Sequence, residues 1–272
     1  MKKNWQVIFE DKTTSLELKA DHSALIMKQI WDFSQTVDID DVKEILDRQI
    51  ACNMAIANEG IHNSYGANIG HVILNMDSDC VKTRAKAYAA AGSDARMNGC
   101  ELPVVINSGS GNQGITCCVP VVVYAKELDC TQKQLYRALV LSNLTAIYIK
   151  TGIGTLSAFC GAVSSGAAAG AGIAYLHNGT YKEIQHTIVN ALAILSGTIC
   201  DGAKASCAAK IASSVDAGIM GYYMYKNKQQ FYAGDGIVAH SVDETIQNIG
   251  TLGSQGMLQT NDKIIEMMIS CD

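Results

Sequence analysis

The sequence has few prolines, few charged residues and no excess of basic residues, and each shortage excludes a class of protein. Of its 272 residues 2 are proline and 24 are glycine, which favours long, closely packed helices over a loop-rich β fold. Charged residues make up 17% and hydrophobic residues 48%, which excludes a disordered chain. Lysine and arginine number 21 against 26 acids, a net charge of −5, so the clustered cations of nucleic-acid-binding proteins are missing.

A secretory signal is also missing. The first residues, MKKNWQVIFEDKTT, contain two lysines but no apolar run behind them. Disulfide frameworks form in oxidising compartments, so the ten cysteines do not predict one here. We expect a cytoplasmic protein whose cysteines are either small buried side chains or ligands of a metal or cluster.

Two kinds of periodicity divide the chain. Residues 5–10 and 15–19 roughly alternate apolar and polar side chains around a polar turn, which predicts a β-hairpin within residues 1–22. An isolated hairpin is marginally stable, so we interpret it as the remnant of an α/β domain. Residues 23–272 show helical spacing, with Asp38 and Thr131 at predicted helix starts. The predicted fold is mainly α, one large helical domain with Gly/Ala-rich buried helices.

The segment 151–176 contains no charged residue and is long enough to span a membrane. It nevertheless carries six glycines and several serines, which contribute little to membrane insertion. Small residues let helices approach closely, so we favour a helix pair buried inside the protein.

A glycine-rich segment, residues 109–114, matches the dinucleotide-binding pattern G-x-G-x-x-G. It follows a strand-like run at 102–106, but no βαβ series surrounds it, and we expect Pro120 to interrupt the helix that should follow. Glycine-rich backbone with free N–H groups can also bind an anion such as a carboxylate, with Ser110, Asn112 and Gln113 adding side-chain hydrogen bonds. A tight turn without a ligand is the alternative.

Three cysteines fall in unusual surroundings. Cys200 and Cys207 flank Asp201, a predicted N-cap of a helix from about residue 202 to 215, and Cys160 lies in the Gly/Ala-rich segment. A break in the helix at 201–202 would let the preceding loop fold back and bring the sulfurs of Cys200 and Cys207 together. Lys204 would then stabilise their thiolates. If these three cysteines hold a cubane iron–sulfur cluster, one of its irons has no protein ligand. On spacing alone, inert buried cysteines are the simpler interpretation.

The sequence resembles the L-cysteine desulfidases, also described as the serine dehydratase alpha-chain family. The resemblance runs from about residue 30 to residue 268 and includes long, unusual motifs in family order. These motifs are 94–97 (DARM), 107–114 (NSGSGNQG), 148–150 (YIK), 156–162 (LSAFCGA) and 199–208 (ICDGAKASCA).

The resemblance implies an oxygen-sensitive 4Fe–4S cluster held by Cys160, Cys200 and Cys207. It also implies a non-redox elimination in which L-cysteine and water give hydrogen sulfide, ammonia and pyruvate. We add that residues 108–114, with Ser108, Ser110, Asn112 and Gln113, are candidates to bind the substrate carboxylate. Arg96 and Lys204 are candidate catalytic charge partners, with ordinary structural ion pairs as the alternative.

One family feature is missing. Members similar to this sequence begin with a further domain that carries a Gly-Cys-Thr-Glu-Pro motif, and no Cys-Thr-Glu-Pro occurs here. We therefore expect a truncated product, one half of a split enzyme or a degenerate relative, with a separate N-terminal-domain chain or a second copy as partner. The alternatives to a cysteine lyase are an L-serine ammonia-lyase and an inactive cluster-binding subunit or sensor. Cys271 could cap the open iron; a free tail thiol is the alternative.

Overall fold

The computed structural model describes residue 22, residues 25–154 and residues 157–270. The hairpin predicted within residues 1–22 lies outside the described residues, apart from His22, and stays a prediction. Cys271 also lies outside them, so its role stays a prediction as well.

Helices dominate the described part of the chain, and this confirms the prediction of a mainly α protein. Within the described residues, β pairing is limited to two isolated bridges, Asn107 with Ser110 and Phe159 with Ile199. A π-helical turn at Leu252–Gly256 separates the last two of eleven α-helices. The helices are α1 (Met27–Thr36), α2 (Ile39–His62), α3 (Ile69–Met76), α4 (Val81–Met97), α5 (Gly111–Glu127), α6 (Gln132–Ile153), α7 (Gly161–Leu176), α8 (Tyr181–Ile194), α9 (Cys207–Lys226), α10 (Val242–Thr251) and α11 (Leu258–Ile269).

Two of the predicted helix starts are confirmed by their side-chain caps. The Asp38 carboxylate accepts a hydrogen bond from the backbone N–H of Asp40 at 3.1 Å. Thr131 and Gln134 form a reciprocal capping box at the start of α6. In both cases a polar side chain satisfies an N–H group that has no partner within its own helix.

Pro120 does not interrupt the helix as we expected. It lies inside α5, which continues to Glu127. Proline removes one backbone hydrogen bond and distorts the preceding turn. In that turn the Ser142 hydroxyl of α6 donates to the Cys117 carbonyl at 2.8 Å, a bond between neighbouring helices that a single-helix pattern does not reveal.

Helix α7 is the buried centre of the molecule, as the Gly/Ala-rich composition predicted. All its residues except Gly161 and Tyr175 are buried, and it packs against α5, α6, α8 and α9. In the described part of the chain, no helix is both long enough and apolar enough to cross a membrane.

Glycines bring α7 and α9 into backbone contact. A Cβ atom on Gly170 would lie 2.6 Å from the Gly218 carbonyl oxygen, and one on Gly166 would clash with the Ser214 backbone. Because residues 166 and 170 face residues 214 and 218 in the same order, the two helices are parallel. Both therefore begin on the same side of the molecule.

Helix α5 runs parallel to this pair. A Cβ atom on Gly161 would meet the Gln113 side chain at 2.7 Å, and one on Gly172 would meet a Val121 methyl group at 2.8 Å. Three helix N-termini, those of α5, α7 and α9, consequently point toward one region.

Gly170→Ala is expected to lower the free energy of unfolding by about 1–3 kcal/mol, because the new methyl group meets rigid backbone and the two helices must separate. The better helix propensity of alanine offsets part of this loss. Urea denaturation with an unchanged m value measures the difference. Gly197→Ala is the control, since a Cβ atom there meets nothing within 4 Å. Equal stability of Gly170→Ala and the parent would show that the helices are not in contact here.

Candidate functional site

A cavity of about 410 Å³ lies at the three helix N-termini. Eight of the nine residues predicted to form the site line it; these are Arg96, Ser108, Ser110, Asn112, Gln113, Cys160, Cys200 and Cys207. The ninth, Lys204, is not among the lining residues, and its ammonium group bonds to Asp201 instead. Side chains up to 111 positions apart in the sequence therefore share one surface.

The glycine-rich segment is a tight turn followed by a helix start. Asn107 and Ser110 exchange backbone hydrogen bonds of 3.1 and 3.0 Å. Between them Ser108 and Gly109 have φ values of 48° and 79°, the left-handed conformation of a type I′ turn. Ser110 then caps α5. The strand expected at 102–106 is wrong, because these residues have no strand partner among the described residues.

Gln113 lines the cavity and carries a buried polar atom that has no partner in the part of the chain that the structure describes. Its side chain is 6% exposed, and its carbonyl oxygen Oε1 has no hydrogen-bond partner among the described residues. The amide lies against the backbone of Gly161, where any larger residue would displace it. A buried polar atom without a partner costs about 1–3 kcal/mol, so this position favours a ligand that donates a hydrogen bond.

Arg96, at the last turn of α4, extends across the start of α5. Its guanidinium group donates to Asn112 Oδ1 at 3.3 Å. A Cβ atom on Gly111 would clash with Arg96 Nε and would lie 2.7 Å from a Val104 methyl group. Glycine at 111 therefore allows a cation to lie beside the helix N-terminus.

Amide side chains of α2 and α6 support the turn. Gln49 and Asn143 exchange two hydrogen bonds of 2.8 Å, and Asn107 Nδ2 donates to Asn143 Oδ1 at 3.0 Å. The Ser108 hydroxyl donates to Asn107 Oδ1 at 2.9 Å. These bonds connect α2 and α6 to the turn and hold it in place.

Short extended segments bring Cys160 and Cys200 together. The N–H of Cys160 donates to the Thr198 carbonyl at 3.1 Å, and the N–H of Cys200 donates to the Ala158 carbonyl at 2.6 Å. Interaction with the Cys200 sulfur and burial raise the pKa of the Cys160 thiol. The interaction with Cys160, helped by the N–H of Gly202 and by Lys210, lowers the pKa of Cys200 to about 6. Cys200 is therefore the more acidic thiol of the pair.

The helix predicted to begin after Asp201 begins later. Helix α9 starts at Cys207 with Ser206 as N-cap residue, because Gly202 has a φ of 99° and cannot be helical. The loop folds back so that Cys207 Sγ accepts from the Lys204 N–H at 3.5 Å. Asp201 binds the ammonium groups of Lys204 and Lys210, which lower its pKa to about 2.

Sequence reasoning missed two lysines that line the cavity. Lys210 bonds to Asp201 and donates to the Ile199 carbonyl at 2.8 Å. Although burial opposes its charge, the bond to Asp201 raises its pKa. Lys150, at the end of α6, is 8% exposed. The available signals were the Tyr-Ile-Lys motif for Lys150 and, for Lys210, its position one turn after Cys207.

The cavity has a positive potential. Arg96, Lys150 and Lys210 line it, whereas no aspartate or glutamate is among its described lining residues. Each helix N-terminus adds about half a positive charge. This environment suits anions such as a carboxylate, thiolates or an anionic cluster.

All nine cysteines in the described part of the chain are free thiols. Among the described residues, no group of three or more His, Cys, Asp or Glu side chains could hold a metal ion. Three thiols around one cationic cavity are nevertheless a donor set that suits an iron–sulfur cluster. Each cysteine of such a cluster binds a different iron, so the sulfur atoms lie farther apart than the ligands of a single metal ion.

The fold and the cavity define a helical protein with a cationic, thiol-lined cavity. The serine dehydratase alpha chain family matches residues 5–266, and the chain belongs to this family. Membership indicates a lyase-related role. No solved structure matches the chain at a significant level.

Similar proteins carry names that specify no activity. The chain is 57% identical over 272 residues to a UPF0597 protein of Desulfitobacterium hafniense, covering 99% of this chain and 63% of that protein. It is 50% identical over 271 residues to a UPF0597 protein of Lachnoclostridium phytofermentans, covering 99% of this chain and 65% of that one. The chain therefore spans slightly less than two thirds of the length of these relatives.

Asn143→Ala is expected to destabilise the protein by about 1–3 kcal/mol, because the buried amides of Gln49 and Asn107 lose their partner. Hydrogen exchange of residues 107–110 should accelerate as the turn loosens. Urea denaturation and exchange mass spectrometry measure the two effects. Asn63→Ala, an exposed asparagine at the end of α2, should change stability by less than about 0.5 kcal/mol. Unchanged exchange at the turn in Asn143→Ala would contradict the supporting role.

Proposed function

We propose that the chain is an iron–sulfur lyase, or the subunit of one, that eliminates hydrogen sulfide from L-cysteine. One observation carries this proposal. Three thiols from separate segments line the same cationic cavity as the turn that caps α5 and the amide of Gln113, whose oxygen is unpaired among the described residues. The chain spans under two thirds of the length of these relatives, so the activity of the whole protein is part of the proposal. The partner in this proposal is a separate chain carrying the family's N-terminal domain or a second copy of this chain, and the reducing cytoplasm is the expected location.

Cys160, Cys200 and Cys207 would hold a 4Fe–4S cluster. A cluster with three protein ligands supplies a Lewis-acidic iron that stabilises a leaving thiolate. The helix N-termini at Cys160 and Cys207 stabilise the negative charge of the sulfur ligands. Lys204 contributes through its backbone N–H to Cys207 and through its bond to Asp201, which keeps the loop folded back.

The start of α5 would bind the amino-acid backbone of the substrate. Ser108, Ser110 and the first N–H groups of α5 are donors for its carboxylate, and Arg96 and Asn112 provide the adjacent charge and amide. The unpaired Gln113 oxygen would accept from its ammonium group. A zwitterionic α-amino acid satisfies both sets of groups.

Elimination removes the α-proton and the β-thiolate and leaves 2-aminoacrylate. Hydrolysis of this product gives ammonia and pyruvate, so L-cysteine and water yield hydrogen sulfide, ammonia and pyruvate in balance. L-serine is the second candidate substrate, favoured by the family description, with water as the leaving group. A cluster-binding subunit without activity of its own is the third interpretation.

Anaerobic purification and cluster reconstitution should give a protein with about four irons per chain, as the proposed cubane requires. It should release sulfide and pyruvate from L-cysteine. Alanine at Cys160, Cys200 or Cys207 should abolish both iron binding and product formation. Iron content, visible absorption and product assays on L-cysteine and L-serine measure this.

Cys100→Ala and Cys130→Ala are matched controls, since these partly exposed thiols do not line the cavity. Both should behave as the parent does. Iron binding that survives in Cys200→Ala would exclude the cluster assignment. A parent with a cluster but without product would favour the inactive-subunit interpretation, and product from L-serine alone would favour the second substrate.

Gly161→Ala tests the ammonium site separately. The added methyl group displaces the Gln113 amide, so affinity for L-cysteine should fall about tenfold, the cost of one lost hydrogen bond to a charged group. Iron content should stay unchanged. Calorimetric titration measures binding, with Gly197→Ala as control. Unchanged affinity would remove Gln113 from the substrate site.

A further inference from the structure

Lys150 differs from the other cations of the cavity. Arg96 bonds to Asn112 and Lys210 bonds to Asp201. Lys150 has neither a hydrogen bond nor an ion pair with any of the described residues, although it lines the cavity and is only 8% exposed. An ammonium group on a largely buried side chain, without a counter-ion, is costly, so this position favours an amine that can exist uncharged.

The remaining lining residues contain no other suitable base. The described part of the lining includes no histidine, aspartate, glutamate or tyrosine. The guanidinium of Arg96 does not deprotonate in proteins, and Lys210 is held as an ammonium by Asp201. The lining thiols are those proposed as cluster ligands.

We propose that Lys150 is the general base that removes the α-proton of the bound amino acid. This inference rests on the proposed function and deepens it, because the family resemblance leaves the base of this chain unidentified. The Lys150 amine lines the cavity from α6, a different element from the turn and the start of α5, where the substrate backbone would bind.

The charges around Lys150 are consistent with this role. Burial lowers its pKa below the ordinary lysine value, while negative charge on Cys200 and Cys160 opposes the shift. Arg96 and Lys210 are the other charged groups of the lining. A lysine tuned in this way is a better proton acceptor at neutral pH than an exposed one.

In the proposed elimination, each bond that breaks is matched by one that forms. The Cα–H bond breaks first, its proton passes to Lys150 Nζ, and its electron pair is left on Cα, where it then forms the Cα–Cβ double bond. The Cβ–S bond breaks with its electron pair on sulfur, and the departing sulfide takes a proton from solvent. Lys150 returns its proton to solvent before the next cycle. No oxidant or reductant is required.

Exchange of the α-proton tests this step without the leaving group. The reconstituted protein is incubated in D₂O with L-alanine, which has no β leaving group, and NMR follows loss of the α-hydrogen signal. The parent should exchange it, and the rate should rise with pH as Lys150 loses its proton. Lys150→Ala and Lys150→Arg should both exchange the proton about 10²–10⁴-fold more slowly than the parent, because this is the usual contribution of a general base. Small primary amines should restore exchange to Lys150→Ala.

Lys133→Ala is the control, since Lys133 is exposed on the first turn of the same helix. It should exchange as the parent does. Iron content and L-cysteine affinity, measured on every variant, establish that the site is intact. If Lys150→Arg keeps the parent rate, Lys150 acts only as a positive charge and the inference is wrong.

Two further results would also overturn the inference. One is exchange in Lys150→Ala at the parent rate, and the other is a parent that binds L-alanine without exchanging its α-proton. In both cases sulfide release from L-cysteine by the parent would leave the proposed function standing. A parent that releases product from neither L-cysteine nor L-serine would instead contradict the proposed function itself, and this inference with it.

Discussion

The close approach of α7 to its two parallel neighbours, α5 and α9, is the constraint on which the rest of the structure depends. Gly166, Gly170 and Gly218 let α7 and α9 approach until their main chains touch, and Gly161 and Gly172 let α5 approach from the other side. Side chains of ordinary size would separate these helices. Their N-termini would then no longer meet, and the cavity would lose its walls.

This packing makes the cavity electropositive, because it brings three helix N-termini together. Unsatisfied N–H groups and helix dipoles accumulate where the parallel helices begin. Arg96, Lys150 and Lys210 add to the positive potential, and Asp201 lies behind the lining, where it holds two lysines and the loop. Sulfur ligands and a carboxylate are therefore stabilised in the same place, as the proposed elimination requires.

Three groups that weaken the fold lie at this site. Among the described residues Gln113 Oε1 and the Lys150 ammonium group have no partner, and Ser108 adopts a left-handed conformation. Each of these features costs stability in the ligand-free protein. The amides of Gln49, Asn107 and Asn143, which are well paired, offset part of that cost by keeping the turn rigid.

Local patterns determined the helical class, the buried Gly/Ala-rich helix and the caps at Asp38 and Thr131, because periodicity and capping act over a few residues. The motif resemblance supplied eight residues that the fold brings to one cavity. Local patterns failed at Pro120 and Asp201, where a contact with α6 and a loop held by Lys210 override the expected helix boundaries. Only the tertiary structure decided that Lys150 and Gln113 line the same cavity and that the Lys150 ammonium group and Gln113 Oε1 have no partners among the described residues. The reason is that an absent partner depends on everything that packs around a side chain.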